Sequence, residues 1–372
     1  MRNHDCIGLV FPNVHDELMF EMTEHRSMGS VPFGARYRLI DFTLSLLVNA
    51  GITKVGVLAR ANYNSLMDHL GTGKHWDLDR KNGGLFILPP FAYGEGTFTG
   101  HIDALNNARN FISHSVEKYV ALCDCDVLTN FSLDDMMRKH VKSGADITVA
   151  YKKGAMPENP HNLMDFTFDD EGRVTDVRID SKSNDVKDYS LDIIIMEREL
   201  LLKLIDECTA HSRNSISRDM IQANVDTLNI RGYEVEGYAE IIDGPDAYFK
   251  ANRDLLTDKA KRDMLFDKER PVLTKTRDDM PTKYGLDSVV KGSLIGDGCI
   301  IEGTVKNSVI FRGVTIGKNA VVENSVIMQD SCVESGAEIR NVTLDKNVTI
   351  NQNVTLCGSP DYPMYIRKGS KV

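Results

Sequence analysis

The chain has no apolar run near the roughly 18 residues that a bilayer crossing requires; its densest stretch, Ile193 to Met196, has the length of a strand. It also lacks an excess of basic charge. Lys and Arg number 44 against 54 Asp and Glu, a formal net charge of −10, so the basic footprint of a dedicated nucleic-acid binder is missing. No disulfide framework can be read. The cysteines, at 6, 123, 125, 208, 299, 332 and 357, are odd in number and irregular in spacing, as expected for reduced thiols in a cytoplasmic protein. Cys123-Asp124-Cys125 is a lone C-x-C, and no two of the ten histidines stand in H-x-x-x-H spacing, so spacing offers no metal site. The opening MRNHDCIGLVF enters a strand-like run without a small-residue cleavage site, and no signal peptide is expected. Tryptophan occurs once: Trp76, in the polar, turn-rich GKHWDLDRKNGG (73–84), is expected on a mobile loop, with LFILPP (85–90) behind it as a buried strand.

What is present is ordinary globular composition, 42% apolar and 26% charged, in 372 residues, enough for about two domains at ~150 residues each. Residues 1–256 alternate β-branched runs, VGVLA (55–59), YVALC (119–123) and ITVAY (147–151), with helical stretches at 41–51, 103–115 and 132–144. Such alternation predicts an α/β domain with a mostly parallel sheet covered on both faces. DFTFDDEGRVTDVRI near 165–178 reads as a hairpin, an antiparallel addition that makes the sheet mixed. A helix is expected over 246–262, with Tyr248, Phe249, Leu255 and Leu256 toward the core. The polar, proline-bearing stretch within 257–288 reads as a linker.

From 289 to the end at 372 the texture changes. Ile310, Ile316, Val322 and Met328 fall six apart, as do Ile327, Val333 and Ile339; Val342, Val348 and Val354 continue the period beside Leu344, Ile350 and Leu356. Gly, Asn and Asp fill the places between. A six-residue period cannot be one face of a helix, and it predicts a parallel β-helix with about four coils over 289–357. Exposed coil ends on such a prism favour subunit association.

SVPFGARYRLIDFTLSLLVNAGI (30–52), GHIDAL (100–105), DCDVLTNFSLDDM (124–136), DAYFKANRDLL (246–256) and KYGLDSVVKGSLIGDG (283–298) occur in an order that resembles the glucose-1-phosphate adenylyltransferase family. That resemblance covers almost the whole chain. It implies a Rossmann-like nucleotide-sugar transferase domain followed by a left-handed β-helix. It also implies a reaction in which ATP and glucose-1-phosphate give ADP-glucose and pyrophosphate, with Mg²⁺ held by carboxylates.

The residues that such chemistry needs are mostly replaced. The family's glycine loop, L-A-G-G-x-G-x-R-L, corresponds to FPNVHDELM (11–19): Leu18 stands at the arginine position, and Asp16 and Glu17 would repel a phosphate. Met28 takes the place of a lysine, Ile241 that of the second metal aspartate, and RIDSKSND (178–185) that of the sugar-phosphate segment E-K-P. Asp124 is retained, the most that a metal site could draw on, although a carboxylate ending a strand more often caps the next loop. Asp243 or Glu240 would replace the lost ligand only after a register shift, and a strand reverses side-chain direction at every step. Gly100, Asp103 and Ala104 survive as a nucleotide- or substrate-binding remnant. Arg26, Arg36 and Arg38 are candidates for binding a phosphorylated effector, against the simpler reading of solvated or ion-paired surface arginines.

The pattern looks like the regulatory, non-catalytic subunit type of this family, the GlgD type. The resemblance then implies a catalytic adenylyltransferase subunit as partner and a homo- or hetero-oligomer, a tetramer by likeness. It implies Mg²⁺ in the partner rather than a cofactor of this chain's own. Two further readings stay open from residues alone: an active enzyme with a divergent site, and a module that senses a phosphorylated metabolite.

Overall fold

Apolar runs at 6–11, 54–58 and 119–124 lie side by side because both faces of the sheet they form are covered. The computed structural model describes residues 5–90, 100–157, 160–181, 185–360 and 362–372. β1 (Cys6–Phe11) is followed by a small hairpin, β2 (Pro32–Phe33) and β3 (Tyr37–Arg38), then by β4 (Lys54–Leu58), β5 (Gly84–Leu88) and β6 (Tyr119–Asp124). β5, β4, β1 and β6 are adjacent and parallel in that order. β1 and β6 are buried along their whole length, which is why they read as continuous apolar runs rather than alternating ones. β5 is the edge strand: Phe86 is 39% exposed, so LFIL is not the buried strand that its composition suggested.

Beyond β6 the sheet turns antiparallel. β7 (Val127–Thr129) leaves the main sheet. It is followed by β8 (Ile147–Ala155), β9 (Met164–Phe168), β10 (Val174–Ile179), β11 (Val186–Glu197), β12 (Ile230–Glu234) and β13 (Ala239–Ile241). β11 runs antiparallel to β6, β8 and β9; β9 and β10 make the expected hairpin; β13 pairs antiparallel with β7. The result is a nine-stranded mixed sheet. Helices α1 (Leu39–Asn49), α2 (Asn64–Leu70), α3 (His101–Asn107), α4 (Arg109–Ser113), α5 (Leu133–Ser143) and α6 (Arg198–Ala210) connect its strands. Among the described residues, no helix is long and apolar enough to cross a membrane.

The expected helix over 246–262 is two helices, α7 (Pro245–Thr257) and α8 (Lys259–Leu265). Asp258 breaks it because its side chain accepts the Lys261 N–H at 3.0 Å and so caps the second helix. Tyr248, Phe249 and Leu255 are buried as anticipated. The stretch read as linker therefore holds α8, and its end, Lys283–Tyr284, is already the first strand of the second domain.

That domain is a left-handed parallel β-helix. Each of its three faces carries five parallel strands, one coil more than the repeat over 289–357 implied, because Lys283–Tyr284 and Met364–Ile366 extend the faces beyond it. Ile310, Ile316 and Val322 sit on three successive faces and are fully buried with their equivalents one coil later. The polar positions are the corners: Gly292, Asn307, Asn324 and Asn341 stack with φ of 56°, 46°, 48° and 52°, a region open to Gly and Asn at little cost. Beside them runs a serine column. Ser308 Oγ accepts from Ser325 N at 3.1 Å, and Ser325 Oγ accepts from Val342 N at 3.2 Å.

Trp76 is not on a mobile loop. It is fully buried against the core under α1, edge-on to His69 with ring centroids 5.5 Å apart. Gly73 (φ 81°) and Asp77 (φ 53°) turn the backbone left-handed on either side of it, which lets a polar-looking segment drive its one large ring inward.

Candidate functional site

The ends of β1 and β6 lie side by side, since Phe11 pairs with Asp124. A crevice outside the carboxyl ends of parallel strands is where an open α/β sheet binds ligands. In this crevice stands Asp124, the retained aspartate, 4% exposed. It does not cap the next loop. Its Oδ2 lies 3.1 Å from His15 Nε2, on the loop after β1, and 3.1 Å from His101 Nε2, on the first residue of α3. Asp126 Oδ2 is 3.7 Å from the same His15 nitrogen. Asp192 joins this group from β11, where a register shift between Ser190 and Ile194 accompanies its φ of 48°.

The electrostatics follow from burial. Desolvation alone would push the His15 imidazole down, but Asp126 and Asp124 outweigh it and hold it up at about 10. Desolvation and the neighbouring Asp124 carboxylate raise Asp192, and desolvation raises Asp126 above the usual carboxylate range. For Asp124 desolvation is overcome by His101 and His15, which keep it low.

Among the described residues, Leu18, Met28 and Ile241 offer no phosphate or metal chemistry. Met28 is 1% exposed and packs in an apolar cluster between the two domains. Its backbone N–H donates to Asp16 Oδ1 at 2.7 Å, so Asp16 ties the degenerate loop down; desolvation raises this carboxyl to about 7. Leu18 is half-buried and Glu17 exposed. Ile241 pairs with Val127 across β13 and β7 and packs on the core. Glu240 turns to Lys250, 3.7 Å away. Part of 178–185, residues 182–184, lies outside the described residues.

A Mg²⁺ ion, which the resemblance implies, does not fit this donor set. The retained Asp124 oxygen is shared by two imidazole nitrogens, and Mg²⁺ takes oxygen ligands. Of the remnant, Gly100 is fixed by packing, since a Cβ there would lie 2.7 Å from the Asn214 carbonyl oxygen. Asp103 and Ala104 stay on α3, Ala104 in the core.

The three arginines separate. Arg26, 3% exposed, is not a surface residue: its Nη2 meets both Asp345 oxygens at 2.7 Å, joining the transferase-like domain to the β-helix. Arg38 is buried and donates to Ser65 O at 2.6 Å and Ser65 Oγ at 2.9 Å; burial lowers it to about 10. Arg36 is exposed and adds its charge near Arg312. Lys346, missed in the sequence, belongs with them. Desolvation, Arg38 and Arg26 push its ammonium down to about 6.

Sequence reasoning missed His15 and His101 because they stand 86 residues apart, and only the β1–β6 pairing joins them. A signal was available, since each histidine occupies a segment aligned with a phosphate- or nucleotide-side motif around the retained Asp124.

A mixed sheet with its crevice at the strand ends, followed by a hexapeptide β-helix, defines a nucleotidyltransferase-type protein with an altered site. The comparisons agree: a nucleotidyl transferase family model matches residues 18–177, and a GlmU-like, C-terminal hexapeptide model matches residues 280–361. The glycogen biosynthesis protein GlgD of Geobacillus stearothermophilus is 36% identical over 370 residues, 99% of this chain and 97% of that one. GlgD of Bacillus subtilis (strain 168) is 31% identical over the same shares. The glucose-1-phosphate adenylyltransferase of Bacillus mycoides (strain KBAB4) is 28% identical, covering 90% of this chain and 94% of the relative. The chain belongs to the glucose-1-phosphate adenylyltransferase family, on its GlgD branch.

Proposed function

We propose that this chain is a regulatory, non-catalytic subunit in cytoplasmic glycogen synthesis. It assembles with a catalytic glucose-1-phosphate adenylyltransferase as a hetero-oligomer, a tetramer by family likeness, and modulates the conversion of ATP and glucose-1-phosphate to ADP-glucose and pyrophosphate. The observation that carries this reading is the filled cradle: Met28 is packed in the interdomain core and Asp124 is taken by two histidines. Mg²⁺ then belongs to the partner. Modulation through a shared interface is typically worth ~1–3 kcal/mol of coupling.

The regulatory input in this reading is a phosphorylated metabolite bound near the domain boundary, with Arg36, Arg38 and Lys346 as its cationic contacts. Arg26 is held by Asp345 across that boundary. Gly100, Asp103 and Ala104 are a nucleotide-side remnant without a phosphate cradle.

Two measurements test this. Purified alone, the chain releases no pyrophosphate from ATP plus glucose-1-phosphate, and mixed with a catalytic relative it co-elutes and raises that enzyme's turnover. Sustained release by the chain alone overturns the reading. A sugar bisphosphate titrated into wild type and Arg38→Ala tests these contacts, and equal affinity in both removes them.

A further inference from the structure

His15, His101 and Asp124 come from three separate segments, the loop after β1, the start of α3 and the end of β6. One ligand-competent atom from each lies within 4.8 Å of the others. Both nitrogen-to-oxygen gaps are 3.1 Å. An ion with tetrahedral bonds of ~2.0–2.1 Å to nitrogen and oxygen sets its ligand atoms about 3.3 Å apart, so these gaps are near the edges of such a tetrahedron.

Two further facts point to a cation rather than to a closed hydrogen-bond network. Asp126, 5% exposed, brings its carboxylate to 3.7 Å from His15 Nε2, and its Oδ1 has no hydrogen-bond partner. A buried carboxylate oxygen without a hydrogen-bond partner is an open donor position, and a metal ion that displaces the His15 proton would fill it. Asp192 forms a second ligand-competent group with His15 and Asp126. Three carboxylates thus converge on two imidazoles, beside a small hollow lined by Phe11, Leu122, Asn162 and Ser217 that leaves room for a remaining ligand.

The donor set selects the ion. Two imidazoles with carboxylate suit a borderline ion such as Zn²⁺, whereas Mg²⁺ and Ca²⁺ take oxygen. The nearby thiols do not compete: Cys123 and Cys125 are packed in the core on the other side of the sheet's end.

We propose that His15, His101 and Asp124, completed by Asp126 or Asp192, hold one divalent transition-metal ion of the zinc class. The ion ties the degenerate loop, α3 and β6 together where a catalytic enzyme would keep its crevice open. It is a structural clamp, and it stands whether or not the regulatory reading does.

The test uses the full chain, dialysed free of metal and titrated with Co²⁺. One equivalent binds and gives the strong visible absorption of tetrahedral cobalt. Stoichiometric Zn²⁺ displaces it, a large excess of Mg²⁺ does not, and Zn²⁺ raises the thermal midpoint. His101→Ala and Asp124→Asn lose the band and the thermal gain. His161→Ala keeps both, although its exposed ring lies 6.0 Å from that of His15. Failure of the wild-type chain to bind Co²⁺ or Zn²⁺ stoichiometrically overturns the proposal without reference to any variant. So does binding that survives both His15→Ala and His101→Ala, or equal competition by Mg²⁺.

Discussion

At the scale of single residues, Lys346 tests the proposed effector contacts. Its ammonium is pushed down to about 6 from an ordinary 10.5, so at pH 7.5 it is largely neutral in the free protein. An anion beside it favours the charged form, so binding a sugar bisphosphate takes up a proton, and affinity falls as pH rises from 6 toward 10. Calorimetry in two buffers of different ionisation enthalpy reads that uptake directly, and Lys346→Gln abolishes it. The same crowding sets the sign for folding. A lysine depressed in the native state weakens stability most below pH 6, and that cost fades as pH rises toward 10.5. Met28 gives a second prediction. Met28→Lys restores the residue expected from the resemblance, but it puts a charge into the apolar cluster of Phe33, Leu39 and Tyr248. It lowers stability by about 3 kcal/mol or more and yields no pyrophosphate release.

At the scale of elements, the β-helix is held by columns that recur once per coil, and a defect in one column is felt locally. Ser325, 2% exposed, donates to Glu323 O at 2.8 Å and accepts from Val342 N. Ser325→Ala leaves the buried Val342 N–H without that acceptor and costs about 1–3 kcal/mol. Asn324 sits at φ 48°; Asn324→Ala costs about 1–2 kcal/mol, whereas Asn324→Gly is close to neutral. Thermal unfolding of the three variants orders them. The six-residue apolar period was legible because each hexad supplies one inward side chain per face. The corner chemistry was legible too, as Gly, Asn and Asp between the apolar positions. The serine column was less so, because KNSVI and ENSVI repeat 17 residues apart and break the strict hexad rhythm.

At the scale of the whole molecule, one apolar cluster spans both domains: Met19, Met28 and Phe33 pack with Val309, Phe311 and Met328. Arg26 and Asp345 cross the same boundary at 3% and 1% exposure, with Tyr365 Oη donating to Asp345 Oδ2 at 2.6 Å. Removing one partner of a buried pair strands the other, so Asp345→Ala costs about 3–5 kcal/mol, and Arg26→Met with Asp345→Leu recovers part of it. A clear drop in thermal midpoint for the single variant, with partial return in the double, is the expected result.

Sequence by itself determined the mixed sheet and the β-helix that follows it, because apolar period and strand–helix alternation are local properties. Tertiary structure alone decided where the charges went. By sequence Arg26 is an effector-binding candidate or a solvated or ion-paired surface arginine; Asp345, 319 positions later, meets it in a buried pair across the domain boundary. His15 and His101 became neighbours only when β1 paired with β6 and α3 started beside them. The distance between two charges depends on how distant segments pack, and no spacing along the chain encodes it.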